Sequence, residues 1–183
     1  MEEKEMLDAI EAELKRIKFK YTRKTLRTGK EVVDTNCCSR SGLTKFYDVR
    51  FLARNHGVQV VYRLPYEVPE KLRGEMAKYL SVVNYDILRG KFTMSENGDL
   101  YFELVIEDVV LERDGDAVME FAFGMCLGTV DEYLKGFNLV VIGAMDALSA
   151  FFAAKEVEED EPPPLPLEDE PLSENADSLS PRD

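Results

Sequence analysis

Apolar residues recur along this chain with two periods, and the switches between them lay out its elements. Met6, Leu7, Ile10, Leu14 and Ile17 fall at helical spacing. Acids lead that run and Lys15 and Arg16 end it, which suits a helix dipole. Phe19-Lys20-Tyr21-Thr22-Arg23 alternates and is β-prone, predicting a first strand. Residues 34–45 are polar and read as a loop. Tyr47, Val49, Phe51 and Ala53 then alternate with Asp48, Arg50, Leu52 and Arg54. After the turn cluster Asn55-His56-Gly57, Val58, Val60, Tyr62 and Leu64 repeat the pattern. This predicts an antiparallel hairpin with one packed face and one basic face.

Pro65 and Pro69 stop the second strand and open a helix, whose first turn tolerates proline. Leu72, Met76, Tyr79, Leu80, Val83 and Ile87 make its apolar stripe, and Gly90 follows where a left-handed C-terminal residue belongs. Asn84 falls on that stripe. A buried amide needs partners, so it is predicted to tie the helix end to a neighbouring strand backbone. Lys91 to Met94 and Leu100 to Ile106 flank Asn97-Gly98, a strong hairpin signal. Asp114-Gly115-Asp116 is placed to cap a helix over 117–134, Lys135-Gly136 to end it, and 139–155 to form the last helix. The sum is an α+β domain over 1–155, an antiparallel sheet of about five strands packed against helices.

Composition adds a tail. Residues 156–183 hold 11 acids and one base with many prolines, and predict a disordered segment. Within the domain, Lys15 to Arg63 holds 13 basic and three acidic residues. Two roles compete for that basic stretch, an edge strand guarded by lysines and a nucleic-acid surface on which Phe19 and Tyr21 stack bases. Lys20, Arg23, Arg50, Arg54 and Arg63 are its candidate contact residues. Tethering makes a weak association of the acidic tail with it feasible, set against a tail that only solubilises. Three cysteines without regular spacing fit a reducing compartment, and the acidic start lacks the order of a secretory signal, so the cytoplasm is expected. The apolar run 137–154 is short for a membrane span and carries Asp146, which favours a buried helix.

No catalytic, cofactor or metal constellation stands out. His56 is the only histidine and lies in a turn. Cys37-Cys38 is neither a Cys-x-x-Cys motif nor half a zinc site, and Cys126 suits a core position. Glu103, Glu107, Asp108, Glu112, Asp114 and Asp116 lie on strand exteriors and in a loop, without calcium-loop spacing. A non-enzymatic interaction module is expected, with another polypeptide as partner and nucleic acid as the alternative. Val118, Phe121, Ala122, Met125, Val130, Val140, Val141, Met145, Leu148, Phe151 and Phe152 offer more apolar surface than one sheet face covers, which predicts a homodimer through the last two helices.

Val68-Pro69-Glu70, Val83-Asn84, Gly90-Lys91-Phe92, the Gly98 turn before Leu100-Tyr101-Phe102, and Tyr133-Leu134 together resemble the YbjN family, over roughly Phe46 to Gly143. That family is similar in fold to the type III secretion chaperones. The resemblance implies an antiparallel sheet against helices, a homodimer, no established catalytic residue, and a chaperone-like or sensory-transduction role. It marks Asn84, Gly90, Phe92 and Gly98 as structural motif positions. The basic first-strand region and the acidic tail lie outside the family pattern.

Overall fold

The computed structural model describes residues 1–156. Helix α1 (Glu3–Arg16) precedes strands β1 (Tyr21–Thr25), β2 (Glu31–Cys38), β3 (Phe46–Arg54) and β4 (Gly57–Glu67). Helix α2 (Arg73–Asp86) leads into β5 (Lys91–Met94) and β6 (Asp99–Glu107). Helices α3 (Asp108–Arg113), α4 (Gly115–Glu120), α5 (Cys126–Val141) and α6 (Ala147–Lys155) follow. The strands form one open antiparallel sheet in the order β1-β2-β3-β4-β6-β5.

Period-2 alternation decides which face is covered. Val33, Phe51, Val60 and Leu104 share one cross-strand row, and Thr35, Val49, Tyr62, Phe102 and Phe92 the next. All are buried, with α1 lying on β2 and β3, α5 on β4 and β6, and α2 beside β5. The opposite face carries the intervening residues Asp34, Arg50, Val61, Glu103 and Lys91 in a single row. That face has no covering layer among the described residues.

Several expectations need correction, among them that Pro65 stops the second strand, since β4 runs through it to Glu67. The sheet has a sixth strand, because β2 occupies part of the stretch read as loop. Helix α5 runs through Gly136 to Val141 and does not stop at residue 134. At Gly136 a side chain would collide with the Tyr79 hydroxyl and lie 2.8 Å from the Ala150 carbonyl oxygen. This glycine therefore serves close packing of α2 and α6 on α5, not termination. The stop is at Gly143 (φ 71°), where Ala144 N–H bonds the Leu139 carbonyl at 2.9 Å and Gly143 N–H that of Val140 at 3.0 Å. This paired pattern is a Schellman ending. Finally α6 begins at Ala147, with Asp146 accepting from the Leu148 and Ser149 amides, both at 3.0 Å.

The Asp114 cap is present, accepting from Ala117 N–H at 3.0 Å. Between α4 and α5 the helix widens into a π-turn over Phe121–Met125, and the buried Tyr62 hydroxyl donates to the Ala122 carbonyl inside it. Among the described residues no helix is long and apolar enough to cross a membrane. The acidic, proline-rich stretch from 157 onward lies outside the described residues.

Candidate interaction surface

The basic residues singled out by sequence do not form one surface. Arg23 of β1 pairs across the sheet with Val33 and so points to the helix side. It donates to Asp8 and to Glu11 (3.1 Å) of α1 and to Glu31 (2.7 Å), which raise its pKa. This arginine staples α1 to the sheet edge. Lys20 lies exposed just ahead of β1, where Thr35 Oγ donates to its carbonyl at 2.7 Å. β1 is an edge strand, as the lysine-guarded reading has it.

Arg50, Arg54 and Arg63 do share the bare face. Asp34 takes a two-pronged pair from Arg50, with Nε–Oδ1 at 2.7 Å and Nη2–Oδ2 at 3.0 Å, and a further bond from Lys24. Partial burial opposes ionisation of Asp34, but the bonds from Arg50 and Lys24 win and hold its pKa below the ordinary carboxylate value. Arg63 Nη2 meets Asp99 at 2.7 Å. Arg54 Nε donates to Gln59 at 2.9 Å, and Gln59 Nε2 donates to Glu103 at 3.1 Å. Lys24, Asp34, Arg50 and Arg63 rim a shallow hollow of about 410 Å³, with Asp48, Val61 and Tyr101 among its walls. Of the acids that pair with the basic stretch, Glu31 and Asp34 lie within it, while Asp8, Glu11 and Glu13 come from α1, Asp99 from β6 and Asp116 from α4. Counting charge along the sequence could not see those outside it.

The structural motif positions do converge at the other edge. Asn84 Nδ2 donates to the Phe92 carbonyl at 2.9 Å, and Phe92 N–H donates to Asn84 Oδ1 at 2.7 Å. One amide thus stands in for a neighbouring strand on the outer edge of β5, the role its place on the stripe predicts. The Phe92 ring lies 4.9 Å from both the Phe102 and Phe137 rings, centroid to centroid. Gly90 takes φ 78° where a Cβ would press 2.9 Å from the Glu103 carbonyl oxygen. Gly98 closes the far end of the hairpin, and Arg73 grips that turn through the Glu96 (2.8 Å) and Asn97 (2.9 Å) carbonyls.

Two features escaped sequence reading. Asp131 of α5 accepts from Tyr47 Oη (2.6 Å), Ser39 Oγ (2.7 Å) and Arg40 N–H (2.8 Å), clamping the β2–β3 loop to the helix layer. The second is a groove of about 560 Å³ beside β6, between Lys91 and Val105 on one side and Val110 and Phe121 on the other. It exists because β5 has four residues and β6 has nine. The unequal apolar runs around Asn97-Gly98 were the available signal.

The thiols are core groups or lone. Burial pushes Cys37 up to about 11 and Cys126 up to about 12, while Cys38 is exposed. His56 sits in the β3–β4 turn with φ 67°, its carbonyl accepting from Asp108 N–H at 3.1 Å. No protein-family model matches this chain, and neither a curated protein nor a solved structure matches it.

Proposed function

We propose that this protein is a non-enzymatic interaction module that binds another polypeptide, in the chaperone-like or sensory-regulator manner that the YbjN resemblance implies. The observation that carries this reading is the bare sheet face. Arg50 and Lys24 share Asp34, Arg63 meets Asp99 and Arg54 meets the Gln59 amide, and Leu52, Val61, Tyr101 and Val105 stand between them. A nucleic-acid surface needs unmatched cations free to replace counterions. A protein interface uses this mixture of apolar surface and satisfied polar groups.

The test compares two titrations of the full chain. One uses a permanently unfolded polypeptide, reduced and alkylated lactalbumin, and the other uses duplex DNA and RNA across a salt series. Binding of the unfolded chain with little salt dependence, shifting the amides of Val61 and Tyr101, is the supporting result. Steeply salt-dependent binding to the nucleic acids, abolished by Arg50→Glu with Arg63→Glu, would replace this reading with its alternative. The homodimer belongs to the same proposal. Of the apolar residues expected to form it, Val118, Ala122, Val130 and Val140 are buried within the monomer. Met145, Leu148 and Phe152 remain exposed, joined by Ile142, and form the contact we propose.

A further inference from the structure

We infer that the free edge of β6 at Val105–Glu107 is a strand-addition site for an extended polypeptide segment that runs antiparallel to β6 and carries a basic residue followed by two apolar ones. This deepens the polypeptide-binding reading and rests on it.

In an antiparallel ladder, alternate residues turn their N–H and C=O to opposite sides. Ser95 N–H bonds the Asp99 carbonyl at 2.9 Å, so odd-numbered residues of β6 face β5. Asp108 N–H bonds the His56 carbonyl at 3.1 Å, so even-numbered ones face the β4 side. β5 ends its pairing at Lys91 opposite Glu103. Val105 N–H, Val105 C=O and Glu107 N–H therefore point past the end of β5, and no described residue pairs with them. The contrast with β5 is direct, since Asn84 closes the outer edge of that strand. Only another extended backbone supplies donors and acceptors in the matching order.

The walls specify the guest. A residue opposite Glu107 projects onto the bare face beside a carboxylate that has no partner among the described residues, and so is basic. The next residue projects to the helix side against Val110 and Phe121, and so is apolar. The third lies opposite Val105, whose side chain is 59% exposed, and is also apolar.

Peptides containing Lys-Leu-Val between serine and glycine flanks test this with the full chain, read by amide exchange and chemical shift. In the free protein the Val105 and Glu107 amides exchange rapidly while those of Leu104 and Ile106 are protected. The peptide slows exchange at Val105 and Glu107. N-methylation of the peptide valine, whose N–H faces β6, weakens binding at least tenfold, and N-methylation of the leucine, whose N–H faces away, does not. Glu107→Lys reverses the preference from lysine to glutamate at the first guest position. Protected Val105 and Glu107 amides in the free protein, no binding at millimolar peptide, or equal loss from both N-methyl positions would each overturn the inference. Peptide binding that maps to Val61 and Tyr101 instead removes this site and leaves the polypeptide-binding reading standing. Failure of every peptide together with failure of the unfolded chain removes both.

Discussion

Replacing Asn84 with alanine isolates one amide that closes a sheet edge. The substitution deletes the acceptor of Phe92 N–H and the donor to Phe92 C=O in one step. Each bond is worth about 1 kcal/mol net, and a group left unpaired without water costs about 1–3 kcal/mol. Phe92 is 2% exposed while Asn84 is half-buried, so water reaches the vacated place only in part. A loss of about 2–3 kcal/mol follows, because alanine favours the helix slightly and returns a few tenths. For a domain of this length about 2 kcal/mol lowers the melting midpoint by about 4–8 °C. Urea unfolding of the full chain gives the free energy directly, and the slope with denaturant must stay unchanged for the comparison to hold. Native-state exchange adds a local readout, since the Phe92 amide should open without global unfolding in the variant alone. A loss below about 0.5 kcal/mol, with Phe92 still protected, would show that the amide does not hold the strand edge.

Gly136→Ala drives a methyl group into the Tyr79 hydroxyl, and should cost at least about 1–3 kcal/mol by thermal unfolding. At neutral pH a disulfide reagent should label Cys38 quickly, and Cys37 and Cys126 only after denaturation. The two buried thiols titrate higher folded than unfolded, so their contribution is complete below about pH 8.5 and falls as pH rises toward 11 and 12, which urea unfolding at pH 8 and pH 10.5 compares. Light scattering should give twice the monomer mass at micromolar concentration, and the monomer mass for Leu148→Glu with Phe152→Glu; monomeric wild-type protein would refute the dimer.

The sequence patterns that located elements were those in which apolar residues mark one face. Tyr47 to Leu64 and Leu100 to Ile106 alternate cleanly, and the structure forms the two hairpins as read, β3 with β4 and β5 with β6. β2 was illegible because its core-facing positions are Val33, Thr35 and Cys37, and only the first is strongly apolar. Its outward positions, Asp34 and Asn36, carry the marks of a turn. Glycine misled for a related reason. Gly136 and Gly143 look alike in one dimension, and only the helices crossing at the former distinguish packing from termination. The candidate surface divided the same way. Asn84 was readable because a polar residue on an apolar stripe demands a partner. The compensation of Arg23 by Asp8 and Glu11, and of Arg63 by Asp99, depends on contacts distant in sequence and left no local trace.

The placing of β6 between β4 and β5 sets a delay during synthesis. β1 to β4 form a meander of neighbouring hairpins, each complete once its own two strands have been made. β4 ends at Glu67, but its second partner is not finished until Glu107. At ribosomal speed those roughly 40 residues take about 2–8 seconds. Throughout that interval the edge of Val58 to Tyr62 is exposed on a nascent sheet whose β4 already carries a strongly apolar face. Slowing translation between residues 68 and 99 should therefore lower the soluble yield, and supplying a trigger-type holding factor at the exit tunnel should restore it.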